Sequence, residues 1–187
     1  MKKLSLKLIS LLVTTCCMVS VAHADYTPEQ PGVEEVMGVD SLGEYIGSDD
    51  FIASRLELRM YSGDVVGDLI EIIDDRSWGV SVRAKAIKCL ALYTDAEAVE
   101  KMGELFSSMS KRSKLYPQVV VSFMEQRGED VAGQVTPLLK NKKVNVRAAA
   151  VIALGRYGGN TGYEGLLEAK QTEQDTQVLE RISHYTH

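Results

Sequence analysis

Few side chains in this 187-residue chain have the chemistry of a reactive site. His184 and His187 stand three residues apart near the carboxyl end, with no cysteine or clustered acid beside them in sequence. A metal or acid–base role needs convergent partners, so a fraying, solvated end is the plainer reading. Cys89 lies between Ile87 and Leu90 on the apolar side of a helical pattern. It reads as a small buried hydrophobe in preference to a redox thiol. Asp49-Asp50 and Asp74-Asp75 have the chemistry of metal carboxylates, but lack D-x-D-x-D-G spacing. Helix capping and terminal solvation explain them better. No Gly-rich phosphate loop runs into Lys-Ser/Thr, no G-x-S-x-G occurs, and no nucleophile pairs plausibly with a general base, Ser183 beside His184 included. The expectation is a non-catalytic protein with no cofactor and no metal.

The basic residues are more ordered. Lys111 and Arg112 fall in one polar turn, and adding 31 positions lands on Lys142 and Lys143 in the next. Lys114 and Lys140 extend the cluster, and Arg76 occupies the equivalent turn upstream, beside Trp78, the only tryptophan. If these turns stack, an acidic chain carries one basic ridge suited to a protein partner with an anionic surface, or to envelope phosphates. The plainer reading is solvated loop charge. A second candidate face is Lys88, Val121 and Ile152, equivalent positions on three helices. Two of the three are apolar, which suits a concave groove for a partner helix or extra packing within the array. Arg83 and Arg147 also invite a site reading. Each lies one turn into a helix, where a guanidinium bonds carbonyls or acids of the neighbouring turn, so both read as structural.

Two stretches must position all of these groups. Val82 to Tyr93 and Val146 to Tyr157 match at Val, Arg, Ala, Ala, Leu and Tyr with one constant offset, 64 positions. Apolar residues recur in both at helical spacing, with no breaker before Gly155. An offset of this length suits two helical hairpins, so a middle copy is expected near 115–126. Setting Leu90 against Phe123 and Leu154 supplies it, in steps of 33 and 31. Val119 then matches Ala86 and Ala150, and Ser122 matches Cys89 and Ala153. A small residue thus recurs beside a large apolar one, where neighbouring helices must approach closely.

Around this repeat the pattern predicts further helices. Ser48-Asp49-Asp50 would cap one over about 50–61, and Asp64 one carrying Val65 to Ile73. Asp95 opens another, Leu115–Arg127 is ended by Gly128, and Pro137 bends or shortens the helix around 131–139. Gly158-Gly159-Asn160 breaks the chain before two short helices, at about 162–170 and 175–185. No segment alternates apolar and polar residues for long, so no sheet is expected.

The period of 31 to 33, the paired helices and the Val-Arg-x-x-Ala-x-x-x-Leu signature resemble the HEAT repeat, in the short bacterial form seen in phycobilisome-lyase-like proteins. The residues carrying the resemblance are Val82, Arg83, Ala86 and Leu90, then Val146, Arg147, Ala150, Leu154 and Gly155. It covers about residues 64–170. It departs from the family at Tyr116, where Arg is expected, and at Asn141, where an acid usually precedes the second helix. The resemblance implies an all-α fold: an α-solenoid of about four helical hairpins in a right-handed superhelical stack, second helices lining the concave side. It implies non-catalytic protein binding. The bacterial subtype alone suggests another class, an accessory or lyase-type enzyme. A structural subunit of an envelope complex is a third.

The amino terminus bounds the location. Met1-Lys2-Lys3 and Lys7 precede an apolar run from Leu8 to Val21, and Ala22-His23-Ala24 follows. This is the pattern of a secretory signal cleaved after Ala24. The run is short of the roughly 20 residues of a spanning helix, and lipidation at Cys16 or Cys17 is disfavoured by Thr15. Cleavage would remove Lys2, Lys3 and Lys7 and no acid, taking the formal charge from −5 to −8. An acidic chain argues against general nucleic-acid affinity. Cys89 alone would remain, so no internal disulfide could staple the fold. The expectation is a periplasmic or secreted protein without a membrane span: signal 1–24, an irregular lead-in over 25–47 with room for one short turn of helix near Leu42–Ile46, and the helical array over 48–187.

Overall fold

Residues 38–187 of this computed structural model are described; they form helices joined by short turns, with no strand among them. The helices are α1 (Val39–Gly47), α2 (Arg55–Leu58), α3 (Val65–Asp74), α4 (Val80–Leu90), α5 (Ala96–Ser108) and α6 (Tyr116–Arg127). Then come α7 (Ala132–Val135), α8 (Val144–Tyr157), α9 (Gly159–Lys170) and α10 (Thr176–Tyr185), with 3₁₀ turns flanking α7 at Gly128–Val131 and Thr136–Lys140. The all-α expectation holds for these residues.

Local chemistry explains the boundaries. Asp64, Asp95 and Asp175 accept backbone N–H groups at the starts of α3, α5 and α10, satisfying donors that a helix start leaves without partners. Gly128 ends α6 at φ +62°, a conformation that glycine adopts without the Cβ penalty. Pro137 sits in the first turn of the second 3₁₀ segment, so the helix expected around it is divided.

Packing follows the repeat register. α3 packs on α4, α5 on α6, the 136–140 segment on α8, and α9 on α10. The second members also pack in sequence: α4 on α6, α6 on α8, α8 on α10. Leu90, Phe123 and Leu154 are 0%, 4% and 1% exposed. Ala86, Val119 and Ala150 are wholly buried, as are Cys89, Ser122 and Ala153. The small-beside-large positions are therefore buried in each of α4, α6 and α8. Phe106 of α5 stacks on Phe123 of α6 at 4.2 Å and fills the space beside them.

Three boundaries differ from the sequence reading. The signal segment, Cys16, Cys17 and residues 25–37 lie outside the described residues. Residues 39–47, however, form a full helix, longer than a single turn near Leu42–Ile46, with Leu42 and Ile46 fully buried. Gly43 is needed there because the indole of Trp78 lies where a Cβ would project. Lys85 of α4 donates to the carbonyls of Ile46 (2.8 Å) and Ser48 (3.3 Å), satisfying the helix end. The folded array thus begins before residue 48. Secondly, the helix expected over 50–61 shrinks to Arg55–Leu58. The Tyr45 hydroxyl accepts the N–H of Ile52 at 3.1 Å and holds residues 51–54 out of helix, and Ser54 takes over the cap. Thirdly, Gly158-Gly159-Asn160 changes direction without a loop, and α9 starts at Gly159 with φ +52°. Glu129 accepts the N–H of Asn160 at 3.1 Å and caps that helix from the preceding pair.

Truncating the shared spine should be costly. Leu90→Ala and Leu154→Ala are each expected to lower the unfolding free energy by about 2–5 kcal/mol, read from urea denaturation followed by far-ultraviolet circular dichroism. Losses of a few tenths would contradict the register.

Candidate partner-binding surface

The turns before α4, α6 and α8 carry the cations picked out from the sequence. Arg76, Lys111, Arg112, Lys114, Lys142 and Lys143 are all exposed, and none is ion-paired among the described residues. Lys140 differs: it meets Glu168 of α9 at 2.9 Å, and both groups are well exposed. That pair contributes little to stability but removes Lys140 from the free set. Trp78 also leaves it. Its ring is half-buried against Gly43, so it joins α1 to the core and does not end a ridge.

The arginines at the repeat signature are used structurally. Arg83 Nε donates to the carbonyl of Ile73 at 2.8 Å, tying α4 to the end of α3. Arg147 makes the matching bond to the Asn141 carbonyl at 2.9 Å. It also grips Glu173 with two bonds, Nε–Oε2 at 2.7 Å and Nη2–Oε1 at 2.9 Å. This joins α8 to the turn before α10. Lys140, Asn141 and Arg147 face Thr172, Glu173 and Gln174 across a cleft of about 320 Å³, so these two turns lie side by side. Sequence spacing missed Glu173, which precedes the capping Asp175 and carries no repeat signal of its own.

The proposed concave face is only partly a face. Lys88 is exposed, but Val121 is half-buried and packs against the core. Ile152 lines a cleft with Glu180, Arg181, His184 and Tyr185, under the edge of α10. Gly155 allows that approach, because the Tyr185 ring occupies the space of a Cβ there. Val121 therefore serves internal packing, and Ile152 is partly covered by the last helix.

The other groups with reactive chemistry find structural surroundings. Cys89 is fully buried, and desolvation pushes its thiol up to about 12, against the smaller opposing effects of Lys88 and Lys85. At neutral pH it carries almost no thiolate. Asp74 pairs with Lys101 at 2.8 Å. Asp75 accepts the N–H of Ser77 at 2.8 Å, and the Ser77 hydroxyl bond holds its carboxyl below the usual range. His184 is exposed and meets the Tyr185 ring edge-on at 4.9 Å. Among the described residues, no three His, Cys, Asp or Glu side chains are grouped to hold a metal ion, and no helix is long and apolar enough to cross a membrane.

No protein-family model matches this chain, and no curated protein matches it significantly. The resemblance to the HEAT repeat rests on the residues named above.

Two measurements check this account. Cys89 is expected to resist a thiol-directed disulfide reagent at pH 8 in the native protein and to react stoichiometrically once urea unfolds it. The Arg147 bond, against the opposing effect of burial, holds the Glu173 carboxyl below its ordinary range. The pair's stabilisation is therefore present at neutral pH and lost as pH falls through the depressed value. Glu173→Gln should cost about 2 kcal/mol at pH 7 and flatten the acid limb of stability measured by urea titration at successive pH values.

Proposed function

We propose that this protein is an exported, non-catalytic binding scaffold of the cell envelope, built as a HEAT-like α-solenoid of stacked helical pairs. One observation carries the reading: six exposed cations in the turns before α4, α6 and α8 have no counter-ion among the described residues, although acids outnumber bases in the chain as a whole. Each turn leads into a helix that packs on the next such helix, which supports their alignment along one edge. Unpaired charge of one sign on a stiff support steers and orients a partner of opposite sign. The partner that fits is a protein with an anionic surface. Repeating pairs that bury their apolar faces against neighbours provide the support. The secretory pattern of residues 1–24 is the basis for the envelope assignment.

The test is a four-site reversal, Lys111→Glu, Arg112→Glu, Lys142→Glu and Lys143→Glu, in the exported protein. These side chains are exposed, so the helical circular-dichroism signal should be retained. Affinity purification from envelope extract at low salt should lose the partners held by the wild type, and wild-type capture should weaken as salt is raised. An unchanged set of partners rules out the edge.

A further inference from the structure

A different cleft, of about 560 Å³, opens where the turn before α3 meets the turn before α5. We propose that it receives a single carboxylate group from a peptide, an acidic side chain or a chain terminus, flanked by apolar residues. This site is separate from the lysine-bearing turns and does not depend on the reading built on them.

Arg55 and Arg59 stand one helical turn apart at the ends of α2 and both line the cleft. Neither is ion-paired among the described residues. Below them lies Tyr93, only 4% exposed, whose hydroxyl makes no hydrogen bond. The Arg55 guanidinium sits over the Tyr93 ring, 4.8 Å from its centre, and approaches the hydroxyl without the geometry of a hydrogen bond. Gln126 fixes the tyrosine's backbone by donating to its carbonyl at 2.8 Å. A buried hydroxyl without a partner is uncommon and destabilising. Here it is a donor in the same cleft as two exposed cations that have no ion-pair partner among the described residues. Arg55 swings from the ring onto an incoming carboxylate, and that movement uncovers the hydroxyl.

The ligand's charge follows from the other lining residues. Asp64 and Asp95 also border the cleft, each bonded to a helix-start N–H. Their repulsion grows with every negative charge on the ligand, so a monoanion suits the site better than a dianionic phosphate. A guanidinium fork matches the two oxygens of a carboxylate. The ligand's apolar flanks follow from Val65 and Val66, which line the cleft together with the two arginines. Aliphatic lining beside unpaired cations complements an acidic residue with hydrophobic neighbours.

The test is a titration of the purified, ¹⁵N-labelled chain with three probes: N-acetyl-leucine, its uncharged amide, and inorganic phosphate. N-acetyl-leucine should move the amide resonances of residues 55–66 and 93–95 saturably, and the amide probe should not. Arg59→Gln should weaken that binding by about tenfold, and Tyr93→Phe, which keeps the ring, by several-fold. The proposal is overturned if the amide probe binds as well, if phosphate binds more tightly than N-acetyl-leucine, if shifts do not saturate, or if Arg55→Gln with Arg59→Gln leaves the affinity unchanged. Both arginines are exposed, so these variants keep the fold.

Discussion

The close approach of α4, α6 and α8 is the constraint on which the other features depend. In these helices Cys89, Ser122 and Ala153 stand next in sequence to Leu90, Phe123 and Leu154, and all six are buried. Helices separated by small side chains come near enough for large neighbours to interdigitate, and interiors at such density tolerate little change in volume. A bulkier residue at any small position would push one helix away from the next. The partner helices α3 and α5 rest on this spine, and so do the turns that present the exposed cations.

Polar side chains then close the ends that the spine brings together. Arg83 and Arg147 bond carbonyls just upstream of their own helices. Lys85 covers the end of α1, Glu129 caps α9, and Glu173 anchors the turn before α10. Most of these bonds cross from one helix to another, so they fix relative position as well as local conformation. Among the described residues, the unsatisfied groups include lysines and arginines without counter-ions at the turns, the Tyr93 hydroxyl in one cleft, and the Gln126 side-chain oxygen. A chain that satisfies so many helix ends by cross-links leaves these groups as the candidates for contact with another molecule.

Much of the arrangement was legible because it is periodic. The match between Val82–Tyr93 and Val146–Tyr157 located two helices, and the shared register placed Phe123 and Ser122 on the third. Misreadings cluster where the period lapses. Gly38, Gly43 and Gly47 made α1 resemble a linker, yet Gly43 is where the Trp78 ring presses on the helix. The same indole was read as part of a charged edge, because a tryptophan beside an arginine in a turn gives no sign of which way its ring folds. Residues 51–54 carry a helical apolar pattern, but the Tyr45 hydroxyl claims the Ile52 N–H. Arg59 and Tyr93 gave no signal as a pair, since 34 positions separate them and only the fold joins the turns they border.

By itself the sequence determined the helical class, the caps at Asp64 and Asp95, the break at Gly128 and the buried repeat positions. These depend on spacing along a single helix or on a side chain reaching its own backbone. Only the tertiary structure decided which cations remain free, where Trp78 and Ile152 rest, that Glu173 answers Arg147, and that Arg55, Arg59 and Tyr93 share one cleft. Those outcomes depend on groups distant in sequence meeting in space, and no local pattern encodes which distant partner a charge or a ring will find.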